Sequence, residues 1–231
     1  KIAANPRGLP NRIVHACILG AAKARAKLGQ SDEATDALIA FVNSTPESPL
    51  LPAAFEAMAK AGVFSDSSRK ADVETWEQSS NPALAALALL HHSRAIAPEQ
   101  AGRMLPRFEL FLVTHKSAPQ AMDIALRRIE LLAALGKTEE AEAAMAALAK
   151  SPLSPDQESI RAFLNAKLKS DAGKMPEAAK EFAATAARNA PEDAAAARYN
   201  AGLAALLADD SKGFEDALAG LMDSPGTTSG M

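Results

Sequence analysis

Four histidines, one cysteine and a cluster of glutamates are the side chains in this sequence whose chemistry could be put to use. His91 and His92 are neighbours. Adjacent residues on a helix point about 100° apart, whereas metal ligands share a face only at a separation of three or four residues. No Asp, Glu or Cys stands at that spacing from either histidine, so the pair reads as structural. His15 and His115 are isolated, the second near a helix end where a cation complements the dipole. Cys17 lies among Val14, Ile18 and Leu19, with no Lys or Arg one turn away to lower its pKa. It is therefore expected to be a small buried hydrophobe, not a nucleophile. Glu139, Glu140 and Glu142 read as a solvated helix start. The sequence contains no Gly-rich phosphate loop and no GxSxG, HExxH or DxDxDG pattern. These residues predict a protein that is not an enzyme and takes no cofactor and no metal.

The elements that carry them are helices. Of 231 residues, 48% are hydrophobic but only 4% aromatic, and alanine supplies roughly a quarter of the chain. Alanine is the best helix former and gives a sheet little to pack, so an all-α protein is expected and a β-sandwich or barrel is excluded. Lys and Arg total 25 against 28 Asp and Glu, for a net charge of -3, which argues against a nucleic-acid binder. One cysteine excludes an internal disulfide framework, and a single buried thiol suits a cytoplasmic or a periplasmic home equally. No apolar run approaches the ~18 residues of a membrane span.

A pattern recurs along the chain. Leu28-Gly29-Gln30-Ser31-Asp32-Glu33-Ala34 is followed by Leu38, Phe41 and Pro46. Leu135-Gly136-Lys137-Thr138-Glu139-Glu140-Ala141 is followed by Met145, Leu148 and Pro152. Ala172-Gly173-Lys174-Met175-Pro176-Glu177-Ala178 is followed by Phe182 and Pro191. In each copy the Gly ends one helix in the left-handed conformation, and the Glu complements the positive end of the next helix's dipole. The Ala lets the two helices approach closely, and the Pro closes the unit. Each unit is thus a helical hairpin of roughly 34 to 40 residues.

The interval between Gly29 and Gly136 holds divergent copies. Helices are expected over 52–60 and 70–78, then over 83–95. Pro98 opens a paired helix with Leu105, Phe108 and Leu112 on one face. Pro119 starts the next unit, and a sixth hairpin covers 192–222, with Tyr199 in its first helix and Phe214 in its second. Trp76, three residues after Val73, is expected in the core between hairpins.

These residues resemble the tetratricopeptide repeat family. The resemblance runs clearest through 15–46, 122–152 and 159–191, extends over 195–225 and thins over 50–116. The tryptophan usual early in the family's first helix is missing, and the loop from Phe64 to Arg69 exceeds the family turn. The resemblance implies a right-handed α-solenoid of about six hairpins, at about 10–46, 50–80, 82–116, 119–152, 155–191 and 192–225. Residues 1–9, where Lys1 to Pro6 resemble a helix end stopped by proline, are expected to be the tail of a preceding repeat in a longer protein. Residues 226–231 are expected to form a flexible tail.

The resemblance also implies a concave groove lined by the first helix of each hairpin, and it puts Lys23, Lys27, Glu130, Phe163, Lys167 and Tyr199 on or near that groove. Lysines beside aromatics suit a peptide with acidic and apolar side chains. Asn165, Asn200, Lys167 and Arg198, with Asp171 nearby, echo only part of the set with which some family members clamp a C-terminal carboxylate. The expected function is a non-catalytic module or scaffold that binds a protein or peptide. Two alternatives are a structural spacer in a larger assembly and a ligand-sensing domain of a multidomain regulator. The oligomeric state stays open at this point.

Overall fold

A computed structural model describes residues 10–188 and 191–223. The expected helix end at Lys1 to Pro6 and the expected tail at 226–231 lie outside these residues. Among the described residues there are twelve α-helices and no strand. The chain is all-α. It divides into two compact units, one ending at Ile124 and the other beginning at Ala125.

The first unit holds α1 (Asn11–Lys27), α2 (Ser31–Ser44), α3 (Leu51–Lys60), α4 (Lys70–Glu77), α5 (Pro82–Ala95) and α6 (Leu105–Thr114). α1 packs on α2, α2 on α3, and α5 against α3, α4 and α6. Its core is built on aromatics. Phe55 is fully buried, with the ring of Phe64 at 5.7 Å and that of Trp76 at 5.5 Å. Trp76 is buried as its spacing from Val73 predicts, and its indole N–H donates to Asn43 Oδ1 at 2.7 Å, so the one polar atom of the ring is satisfied. Asn81 caps α5 by accepting from the backbone N–H of Ala83 and Leu84, and its side-chain amide donates to the carbonyl of Pro46 at 2.8 Å. One residue thus starts a helix and ties it to the α2–α3 connection.

Several expectations change here. The long connection after α3 is two 3-10 turns, Val63–Ser65 and Ser67–Arg69, entered through Gly62 at φ 77°. The helix expected from Pro98 begins instead as a 3-10 segment, Pro98–Met104, and becomes α-helical only at Leu105. Leu105 and Phe108 are buried as expected, but Phe111 completes the inner face and Leu112 is half-buried. Cys17 is half-buried as well. The inward residues of α1 are Leu19 and Ala22, and Cys17 stands well round the helix from both.

α7 (Ala121–Ala134) spans the division between the units, and α8 (Thr138–Ala147), α9 (Pro155–Asp171), α10 (Met175–Arg188), α11 (Pro191–Leu207) and α12 (Ser211–Met222) follow in the second. There α8 packs on α9, α9 on α10, α10 on α11 and α11 on α12. The core of α9 to α12 is made largely of alanine. Ala166, Ala178, Ala201 and Ala204 surround Phe182, and a second cluster joins Ala186, Ala194 and Ala197. Such small side chains let helix axes approach closely and leave little room for substitution.

Four helix-to-helix joints share one geometry. Gly29, Gly136 and Gly173 take φ values of 79°, 71° and 75°. After each, the next backbone N–H reaches back to close a wide turn: Gln30 to the Arg25 carbonyl at 3.0 Å, Lys137 to Leu132 at 2.9 Å and Lys174 to Lys169 at 2.9 Å. This is the Schellman closure, and the following helix starts at once. The fourth joint has no glycine. Asp209 holds φ 57° and Asp210 N–H reaches the Ala205 carbonyl at 2.9 Å, so the joint forms on a strained residue. The alanine after each glycine is buried at Ala34, Ala141 and Ala178. Phe214 takes that position in the last hairpin. Gly202 faces α12 closely, since a Cβ there would lie 3.3 Å from Ala217 Cβ and in ordinary contact with the Phe214 ring at 3.7 Å.

Candidate partner-binding surfaces

Lys23 and Lys27, one helical turn apart on α1, are brought to the same place. They rim an open cleft of about 420 Å³ between α1, α2 and α3, floored by Ala22, Ala26, Ala34, Ala53, Ala57 and Leu38. Lys60 and Glu56 of α3 form the opposite rim, paired at 2.6 Å. The Lys60 ammonium, by hydrogen bond and charge, holds the Glu56 carboxyl below the usual carboxylate range, and Lys23 adds to the effect. Among the described residues neither Lys23 nor Lys27 has an ion-pair partner within 4 Å, and both side chains are exposed. The cleft is therefore apolar at its floor and cationic at its mouth.

The remaining residues expected in a groove lie in the second unit. Glu130 of α7 is exposed and paired with Arg127 at 2.5 Å. Phe163 of α9 is half-buried, packed edge-on against Phe182 at 5.3 Å and touching both alanine clusters. Lys167 of α9 is half-buried and paired with Asp171 at 2.8 Å. Tyr199 of α11 is 62% exposed. Of the residues that echo a carboxylate clamp, Asn165 is spent on Glu181 at 2.7 Å and Asn200 on the Ala196 carbonyl at 2.7 Å.

Three other clefts differ in character. One of about 480 Å³, between α10, α11 and α12, is paved with alanine and glycine. One of about 650 Å³, between α8, α9 and α10, holds charges that are largely cross-paired, Lys169 with Glu181 and Arg161 with Glu158. The third, of about 560 Å³, lies over α4, α5 and the 3-10 segment before α6. Glu74, His92 and Arg107 line it, and they meet at Glu77, whose side chain is only 4% exposed. One Glu77 oxygen meets His92 Nδ1 at 2.6 Å and the other accepts from Arg107, which also reaches Glu74 at 3.2 Å. This network links α4, α5 and α6, and a buried carboxylate with both oxygens engaged is what such a link requires. Sequence reasoning missed it because Glu77, His92 and Arg107 are brought together by packing and share no helical spacing.

His91, the residue preceding His92 on α5, packs against the rings of Phe64 and Phe55 at 5.5 and 5.9 Å. Burial first, and the Arg94 charge second, push its pKa below the ordinary value, with Glu56 opposing. His15 meets Ser48 at 2.9 Å, and His115 rests on the Phe111 ring at 4.9 Å. Among the described residues no three His, Cys, Asp or Glu side chains are grouped to hold a metal ion, and no helix is long and apolar enough to cross a membrane. No protein-family model matches the chain, and no curated protein matches it either.

Proposed function

We propose that this chain is a non-catalytic interaction module, a right-handed α-solenoid of about six tetratricopeptide-like hairpins that binds a segment of a protein or peptide. The recurring Schellman joints, three of them followed by an inward alanine, support the repeat reading. The observation that carries the function is the α1–α3 cleft, where two lysines with no ion-pair partner among the described residues stand over a floor of alanine and leucine. A segment with carboxylates beside small apolar side chains would place each group against its complement. The buried titratable groups, Glu77 above all, are spent on joining helices, which favours binding over catalysis.

The test is fluorescence anisotropy with an array of labelled synthetic peptides in which Glu and Leu are set at helical spacing. Binding is expected to weaken about tenfold or more in a Lys23→Ala/Lys27→Ala variant, and again on raising salt from about 0.05 M to about 0.5 M. Equal affinities for the two proteins would overturn the reading. The alanine-paved cleft between α10 and α12 favours a spacer as the second reading, because it offers a partner few hot-spot residues.

A further inference from the structure

The last helical hairpin has the chemistry that the α1–α3 cleft is suited to take. Along α11, Tyr199, Leu203, Leu206 and Leu207 share one side of the helix and are 62, 44, 55 and 59% exposed. The opposite side of the same helix is buried at Ala194, Ala197, Ala201, Ala204 and Ala205. Four large apolar side chains in one open stripe, on a helix already packed along its other side, mark a surface that has a use.

The stripe sits in an acidic setting. Between Pro191 and Asp223 the sequence holds seven acidic residues and two basic ones, a net charge of -5, against -3 for the whole chain. α1 is the reverse: Arg12, Lys23, Arg25 and Lys27 with no acidic residue. One surface is thus an apolar stripe on a hairpin of net negative charge, and the other an apolar cleft with lysines at its rim. The two are complementary in polarity and charge, and both stand open on the same chain.

We propose that the α11 stripe of one copy docks into the α1–α3 cleft of a second copy. This rests on the reading of that cleft as a seat for an acidic, apolar segment. The contact joins two different surfaces, so it leaves one of each kind open at the ends and grows head to tail. Four side chains fall short of the ~800 Å² per partner typical of stable interfaces, so the contact is weak and depends on concentration. Its electrostatic part is screened by salt, with a Debye length of about 8 Å at physiological ionic strength.

Sedimentation velocity on the full chain tests this, from micromolar to near-millimolar protein and at about 0.05 M and about 0.5 M salt. Two variants divide the surfaces: Lys23→Glu/Lys27→Glu alters the cleft, and Leu203→Lys/Leu206→Lys alters the stripe. All four positions are exposed, and far-UV circular dichroism checks that each variant is folded. The wild-type mass is expected to climb with concentration at low salt and at least tenfold less readily at high salt. Each variant alone should remain a single chain. Mixed in equal amounts they should form a one-to-one complex that grows no further, because the first retains its stripe and the second its cleft. Association that persists in either variant overturns the proposal. A wild type that stays a single chain throughout overturns it too, and the peptide array then separates the cases. Lysine-dependent peptide binding would leave the cleft reading standing, and its absence would remove both.

Discussion

Ala178 and Ala172 are six residues apart and have opposite surroundings. Ala178 is fully buried against Ala166 and Phe182, while Ala172 is exposed just before the joint. Ala178→Leu is expected to overpack the α9–α10 interface and cost about 1–3 kcal/mol, with Ala172→Leu close to neutral. Equal denaturation midpoints for the two would show the helices in another register. His91 makes the pH-dependent counterpart. Folding makes it harder to protonate, so below the ordinary histidine value of 6.5 the unfolded chain takes up a proton that the folded chain resists. Stability from this site is complete above that pH and declines as pH falls below it. His91→Phe keeps a ring beside Phe64 and removes the titration, so its melting temperature should decline less between about pH 7.5 and pH 5 than that of the wild type. Parallel declines would assign the pH dependence to other groups.

At the scale of the element, the joints were the most legible part of the sequence. A glycine followed at fixed distance by Glu and Ala has a local cause, and Gly29, Gly136 and Gly173 all take the left-handed conformation. The fourth joint was not legible as such, because Asp209 gives no sign that a backbone frame set by its neighbours will force it to positive φ. A reciprocal exchange checks this account. No atom lies within 4 Å of a Cβ at Gly173, so Gly173→Ala carries backbone strain alone, about 1–2 kcal/mol. Asp209→Gly should relieve strain of the same kind and raise the unfolding midpoint in urea. A destabilised Asp209→Gly variant would mean that the aspartate side chain contributes more than its backbone costs. Helix starts were similarly legible where Pro and a capping residue coincide, at Asn81-Pro82 and Ser154-Pro155, and less so at Pro98, where a 3-10 segment intervenes.

For the whole molecule, the division into two units was hidden, because the hairpin pattern runs through both and no linker composition marks Ile124. The two interiors nonetheless differ, one organised round Phe55 and Trp76 and the other, from α9 to α12, round alanine and Phe182. The candidate site was half legible. Lys23 and Lys27 could be named because the repeat resemblance puts them on the first helix of a hairpin, but the facing wall of Ala53, Ala57 and Lys60 depends on tertiary packing. The apolar stripe of α11 escaped for a different reason: Tyr199 and its three leucines have the spacing of a core face, and only the structure shows that α11 buries its alanines instead.

The joints carry one more consequence, for how such a chain ages in evolution. Each is closed by main-chain hydrogen bonds and needs a permissive dihedral at one position and a small residue on the adjoining helix. A hinge specified by so few letters leaves the letters between hinges free to change, provided that their periodicity survives. Lineages built on it can diverge until their texts share almost nothing while the backbone still turns in the same places. Asp209, at positive φ where the other joints have glycine, shows that even a specified letter can be traded.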